Sequence, residues 1–154
     1  MNRLYSLLAV TGCVAFSGLA HAAGVTAKQA EVMKQLLATY EAAAKEDGKG
    51  KKAKSNQFTP FTAEDGRKFY LMRRTWQSSD PTCSGCHTED PTKEGKHIDT
   101  KKSIKPLAPS ANPERFTDIE KIEKNFSEHC VDLLGRNCEA REKGNYIAYM
   151  MSIK

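Results

Sequence analysis

Cys83, Cys86 and His87 stand together as Cys83-Ser84-Gly85-Cys86-His87, a C-x-x-C-H spacing. Two thiols three positions apart can reach the two vinyl groups of one porphyrin and close thioether bonds with them. The imidazole that follows is carried beneath the ring, where it can bind the iron from one side. Two other chemistries use similar residues. A redox dithiol needs a strand-to-helix setting, whereas Ser78-Ser79-Asp80-Pro81-Thr82 reads as a polar loop. A zinc site could draw on His87 and His97, but no second C-x-x-C or close His pair completes the set. The reading that uses all three residues is one covalently attached haem c, with His87 as proximal iron ligand.

What lies on the opposite side of the iron decides whether it only passes electrons or also takes up small molecules. Electron-carrier cytochromes place a Met there from a downstream loop, and this sequence has none between His87 and Met150. Met150 and Met151 are accounted for by the apolar stripe of a terminal helix. His97 lies in a loop between Lys96 and Asp99, and a reach around the porphyrin rim is awkward from there. Surface exposure or a contact with a haem propionate suits His97 better. His129 follows Ile119, Ile122 and Phe126 at spacings of three, four and three, so it shares the inner face of a helix. A lone His on such a face is usually a satisfied core residue. An open iron site reverses that expectation, and His129 becomes the expected distal ligand.

Four helices should position these groups. The first runs from Thr26 to Ala44, with Thr26 and Gln29 as a capping box and Met33, Leu36, Leu37, Tyr40 and Ala44 as its apolar stripe. Gly48 to Asn56 is a Lys-rich stretch that reads as an exposed loop. Thr62 caps a second helix with Glu64 and Asp65 in its first turn and Phe69, Tyr70 and Met72 as apolar positions, ending near Arg74. Trp76 could pack over a porphyrin edge or fill the core. Thr88 to Asn112 lacks periodicity, and a loop of that length is tolerable only because a flat apolar cofactor gives it something to wrap. Pro106-Leu107-Ala108-Pro109 is its stiffest part and could shield a porphyrin face. Thr117 and Glu120 form a second capping box before the His129 helix. Gly135 ends that helix, and a last one follows Cys138 with Tyr146, Ile147, Met150 and Met151 buried.

The 154-residue chain opens with Arg3, an apolar run from Leu4 to Leu19 and the cleavage-like Ala20-His21-Ala22. Residues 1–22 therefore read as a secretory signal, and residues 23–154 as one domain. The run is too short and too diluted for a membrane span, so none is expected after cleavage. A lipid-anchored Cys13 is the weaker alternative. Cleavage removes Cys13 and Arg3, leaving Cys130 and Cys138 as a pair outside the haem motif, and in an exported protein such a pair reads as a disulfide. The formal charge of +5, lowered by the loss of Arg3, does not point to nucleic acid. A solvated surface accounts for it, with an acidic redox partner as the functional alternative.

Taken together, the chain resembles the sphaeroides haem protein group of monohaem class I cytochromes c. The likeness rests on Tyr40-Glu41-Ala42-Ala43-Ala44, Cys83 through Thr88, Ile104-Lys105-Pro106-Leu107-Ala108-Pro109-Ser110 and Asn112-Pro113-Glu114-Arg115-Phe116-Thr117-Asp118. Glu123-Lys124, Cys130 and Leu134-Gly135-Arg136-Asn137-Cys138 extend it. The resemblance implies an all-α class I cytochrome c fold with about four helices around one haem. It also implies a periplasmic electron carrier, a dihaem cytochrome c as redox partner, and the Cys130–Cys138 disulfide. Members of the group carry a distal Asn that leaves the iron on reduction and admits oxygen or nitric oxide. His129 stands at that position here. Imidazole is the better iron donor, so the departure favours electron transfer with His87 and His129 as ligands over binding of a diatomic gas.

Overall fold

The structure, a computed structural model, describes residues 24–50, 58–73 and 82–154, with side chains omitted at 47–50. The expected signal at 1–22, Cys13, most of the Lys-rich stretch and Trp76 lie outside the described residues. Among the described residues five helices carry the fold: α1 (Ala27–Gly50), α2 (Ala63–Leu71), the short α3 (Cys83–His87), α4 (Ile119–Leu134) and α5 (Ala140–Ser152). The expected all-α architecture is present. The only strands among the described residues are β1 (Gly95–Lys96) and β2 (Ser103–Ile104), an antiparallel pair with Gly95 opposite Ile104. No helix among the described residues is long and apolar enough to cross a membrane.

The Thr26–Gln29 capping box forms as expected. Thr26 Oγ1 accepts from the Gln29 N–H at 3.2 Å, and Gln29 Oε1 accepts from the Thr26 N–H at 2.9 Å. From there Met33, Leu36 and Tyr40 are buried, with Leu37 packed against them. The helix outruns its expected end at Ala44. Nothing at Lys45-Glu46 breaks it, and a Glu41–Lys45 pair at 2.6 Å spans the turn.

Thr62 caps α2 by accepting from the Asp65 N–H. Helix α2 ends at Leu71, and Met72, expected on the apolar stripe, is 47% exposed. Its extended backbone takes it off the helical face. Helices α1, α2 and α5 form the packed body of the fold. At the α2–α5 crossing a Cβ on Gly66 would stand 2.0 Å from the Asn145 carbonyl oxygen, so only glycine permits the approach. Asn145, missed in the sequence, is buried and accepts from the Thr62 N–H at 3.0 Å.

Helix α4 starts one residue later than the capping-box reading required. Phe116 takes a left-handed φ of 56° and turns the chain. Thr117 Oγ1 donates back to the Glu114 carbonyl, and Asp118 becomes the cap, accepting from the Lys121 N–H at 3.1 Å. Gly135, with φ of 67°, closes the other end by donating its N–H to Val131 O. Unlike the other long helices, α4 has no extensive backbone packing against another helix. It stands off from the body, and the space between is the cavity described next.

Candidate functional site

The motif folds into one helical turn. Thr82 Oγ1 caps it by accepting from the Gly85 N–H at 2.8 Å, and Thr88, with φ of 63°, ends it. Cys83, Cys86 and His87 thus occupy positions i, i+3 and i+4, which share a helix face. The Tyr70 hydroxyl donates toward the carbonyls of His87 and Thr88, at 3.1 and 2.5 Å. This ties the end of α3 to α2.

A cavity of about 580 Å³ opens between this turn and α4. Cys83 and His87 line one side and Ile122, Phe126 and His129 the other, with Leu107, Phe116 and Tyr146 closing the ends. Cys86 is half-buried and is not among the residues that line it. Across the cavity the His87 and His129 rings face each other with centroids 6.3 Å apart and planes 36° from parallel. An imidazole–metal bond of about 2 Å, plus roughly 1 Å from nitrogen to ring centre, puts two rings sharing one metal about 6 Å apart. The spacing fits one iron held between two imidazoles.

Hydrogen bonding favours the same use. His129 Nδ1 lies 2.9 Å from the Asn125 carbonyl, so the tautomer that donates there leaves the Nε2 lone pair for a metal. Burial first, then Arg115 and His129, lowers the pKa of His87 to about 4, which keeps this imidazole neutral at pH 7. With the paired thiols on α3 and a cavity of ligand size, the residues present fit a covalently attached haem. Burial also raises the Tyr146 hydroxyl well above the usual phenol range, so it stays a neutral wall group.

His97 is exposed, and its Nδ1 accepts from the Asp99 and Thr100 N–H groups, both at 3.2 Å. It belongs to the turn after β1 and does not line the cavity. Met150 is fully buried in the core, and neither it nor Met151 lines the cavity. Among the described residues no group of three or more His, Cys, Asp or Glu could hold a metal ion. The Cys130 and Cys138 sulfurs stand 1.92 Å apart, with Cα atoms at 5.5 Å, immediately after His129. Leu107, Ala108 and Pro109 are buried, and Leu107 lines the cavity.

Sequence reasoning missed Arg115 and Gly95. Arg115 lines the cavity while donating to the carbonyls of Pro106 and Lys105. Gly95 presses on α3. Neither carries a local signal beyond its residue type.

Comparison with known proteins fits this geometry. Residues 56–150 match the family described as Domain of unknown function (DUF1924). Cytochrome c'' of Methylophilus methylotrophus is 45% identical over 89 residues, covering 57% of this chain and 62% of that protein. The chain thus spans under two thirds of that relative in sequence. In structure, oxidised cytochrome c'' aligns with a TM-score of 0.68 at 35% identity, over 80% of this chain and 96% of the other. A solution structure of the same protein, concerned with haem-ligand detachment, aligns at 0.63 and 37% identity, over 78% and 92%. The cytochrome c-type protein SHP of Cereibacter sphaeroides is 39% identical over 117 residues, 75% of this chain and 80% of that protein. Its oxidised structure, that of an oxygen-binding cytochrome c, aligns with a TM-score of 0.64 at 39% identity, over 77% and 94%. The chain belongs to the DUF1924 family and, within it, to the cytochrome c''/sphaeroides haem protein group of all-α monohaem cytochromes, whose cofactor is covalently attached haem c.

Proposed function

We propose that this protein is an exported, periplasmic electron carrier whose single haem is thioether-bound at Cys83 and Cys86 and held axially by His87 and His129. The observation that carries this reading is the facing pair of imidazoles, 6.3 Å apart across the cavity. When bound, the haem supplies a one-electron couple whose potential follows its axial ligands and surroundings. The chain's own part is to hold. Tyr70 fixes the end of the His87 helix, Asn125 sets the His129 tautomer, and Phe116, Phe126 and Tyr146 keep water from the cavity walls. No side chain needs to move a proton or attack a bond. A Cys130–Cys138 disulfide would fix the chain beside His129, and the Cα spacing suits it. A redox protein, such as the dihaem cytochrome implied by the resemblance, would accept or supply the electron at the exposed cavity rim.

A second reading is that a diatomic gas binds after His129 leaves the iron. It draws on the unequal hold of the two ligands. His87 sits on a turn clamped by Tyr70, whereas His129 is on α4, which lacks extensive backbone packing against another helix. Oxygen binding in SHP and ligand detachment in cytochrome c'' lend it weight. His129→Ala tests the ligation, and the oxidised iron should become high-spin. An unchanged low-spin spectrum would sink the assignment. Carbon monoxide added to the reduced wild-type protein separates the readings: fast uptake favours ligand binding, and an unchanged spectrum favours the carrier.

A further inference from the structure

Away from the haem cavity, side chains from two helices, α1 and α5, meet at one carboxylate of a third, α4. Glu123 on α4 accepts from the Tyr40 hydroxyl of α1 through one oxygen. Its other oxygen lies 2.6 Å from Lys143 Nζ of α5. The Lys143 ammonium also sits 5.5 Å from the centroids of both the Tyr40 and Phe126 rings, which favours a cation over aromatic faces. Tyr40 is almost fully buried and Lys143 largely so. Burial first, and then Glu123, holds the Tyr40 hydroxyl far above the usual phenol range, so it remains a donor.

The position of this junction gives it a consequence. Helix α4 lacks the broad packing that joins α1, α2 and α5. Ile122, Phe126 and Cys130 bring its apolar side chains into the core, and Glu123 adds the polar tie to α1 and α5. Phe126, one turn after Glu123, is gripped at 5.5 Å by the same Lys143 and lines the haem cavity, as does His129 one turn further. Two successive i, i+3 steps, Glu123 to Phe126 and Phe126 to His129, within one helix therefore carry a shift at Glu123 to the imidazole.

We propose that Glu123, holding Tyr40 and Lys143 together, is a positioning residue that sets how firmly His129 reaches the haem. The proposal rests on His129 being the distal ligand. Releasing α4 at this point lets the imidazole withdraw more often, which opens the distal position to competitors. The effect is on an equilibrium between attached and withdrawn His129, so it is read as a population shift.

The test uses the haem-loaded full chain with carbon monoxide as the competing probe. Glu123→Gln and Lys143→Met each remove the charge pair while keeping side-chain bulk, and Tyr40→Phe removes one hydroxyl without opening a hole. Carbon monoxide uptake by the reduced protein should quicken roughly three- to tenfold in the first two variants, less than the full worth of a charged hydrogen bond because only part of its loss reaches His129. The oxidised protein should gain a high-spin fraction, and Lys143→Arg should restore the wild-type behaviour. Unchanged uptake and spin state, with only a lower melting temperature, would overturn the proposal. The same substitutions in a His129→Ala background should have no further effect on uptake. A persisting effect there would mean that Glu123 acts on the cavity and not through His129. If His129→Ala alone leaves the wild-type spectrum unaltered, the ligation reading fails first.

Discussion

Gly95 lies against the Cys83–His87 turn, so close that a Cβ on it would stand 2.1 Å from the Cys86 carbonyl oxygen and 3.0 Å from His87 Cα. Strand β1 thereby seats the turn that carries both thiols and His87. Gly95→Ala should force β1 and α3 apart, at a cost of about 1–3 kcal/mol, seen as a lower melting temperature of the holoprotein. Gly85→Ala is the control. Its Cβ would meet only Thr82 Oγ1, at 3.3 Å, and stability should change by less than ~1 kcal/mol. Equal losses in the two variants would refute the seating role.

Gln29 is fully buried, and its amide Nε2 is 3.2 Å from Pro109 O, 3.0 Å from Asn112 O and 2.9 Å from Arg115 O. One side chain at the start of α1 thus holds the irregular segment that walls the cavity. Gln29→Leu fills a similar volume but strands these carbonyls, and should destabilise by about 2–3 kcal/mol. Denaturant unfolding measures it. A loss under ~0.5 kcal/mol would show that the segment holds itself.

Cys130 and Cys138 bracket the end of α4 beside His129. Alkylation of the denatured, unreduced protein should find no reactive thiol at either position. Replacing both with Ser should cost about 2–3 kcal/mol in the chain-entropy model and, on the proposed ligation, speed carbon monoxide uptake by loosening His129. Two alkylatable thiols in the untreated protein would refute the bridge.

Tyr40, Tyr70, Tyr146 and Tyr149, every tyrosine after Tyr5, have hydroxyls raised above the ordinary value of 10.0, chiefly by burial. Below pH 10 they are protonated in folded and unfolded chain alike, so their contribution to stability is complete there. Above pH 10 the unfolded chain releases these protons first, and stability falls as pH rises. In an alkaline titration, tyrosinate absorbance should therefore appear together with loss of helical circular dichroism. Tyrosinate forming near pH 10 in a still-folded protein would contradict the burial.

The chemistry of this chain is written locally. A C-x-x-C-H turn, the Thr26–Gln29 box and the Ile119–Ile122–Phe126–His129 stripe each lie within a few helical turns, where covalent spacing and the 3.6-residue period already decide which groups share a face. The resemblance carried by the Pro- and Arg-containing segments supplied the rest of the expectation, a class I cytochrome fold. Even local reading failed where backbone conformation upstream intervened: the turn at Phe116 moved the α4 cap from Thr117 to Asp118. What only tertiary structure decided are distances between segments far apart in sequence. These include the 6.3 Å between two imidazoles, the three carbonyls gathered by Gln29, the contact that requires glycine at position 95, and the meeting of Tyr40 and Lys143 at Glu123. Periodicity says which face of a helix is apolar; it does not say which other face arrives to cover it, or how near, because that follows from packing the whole chain at once.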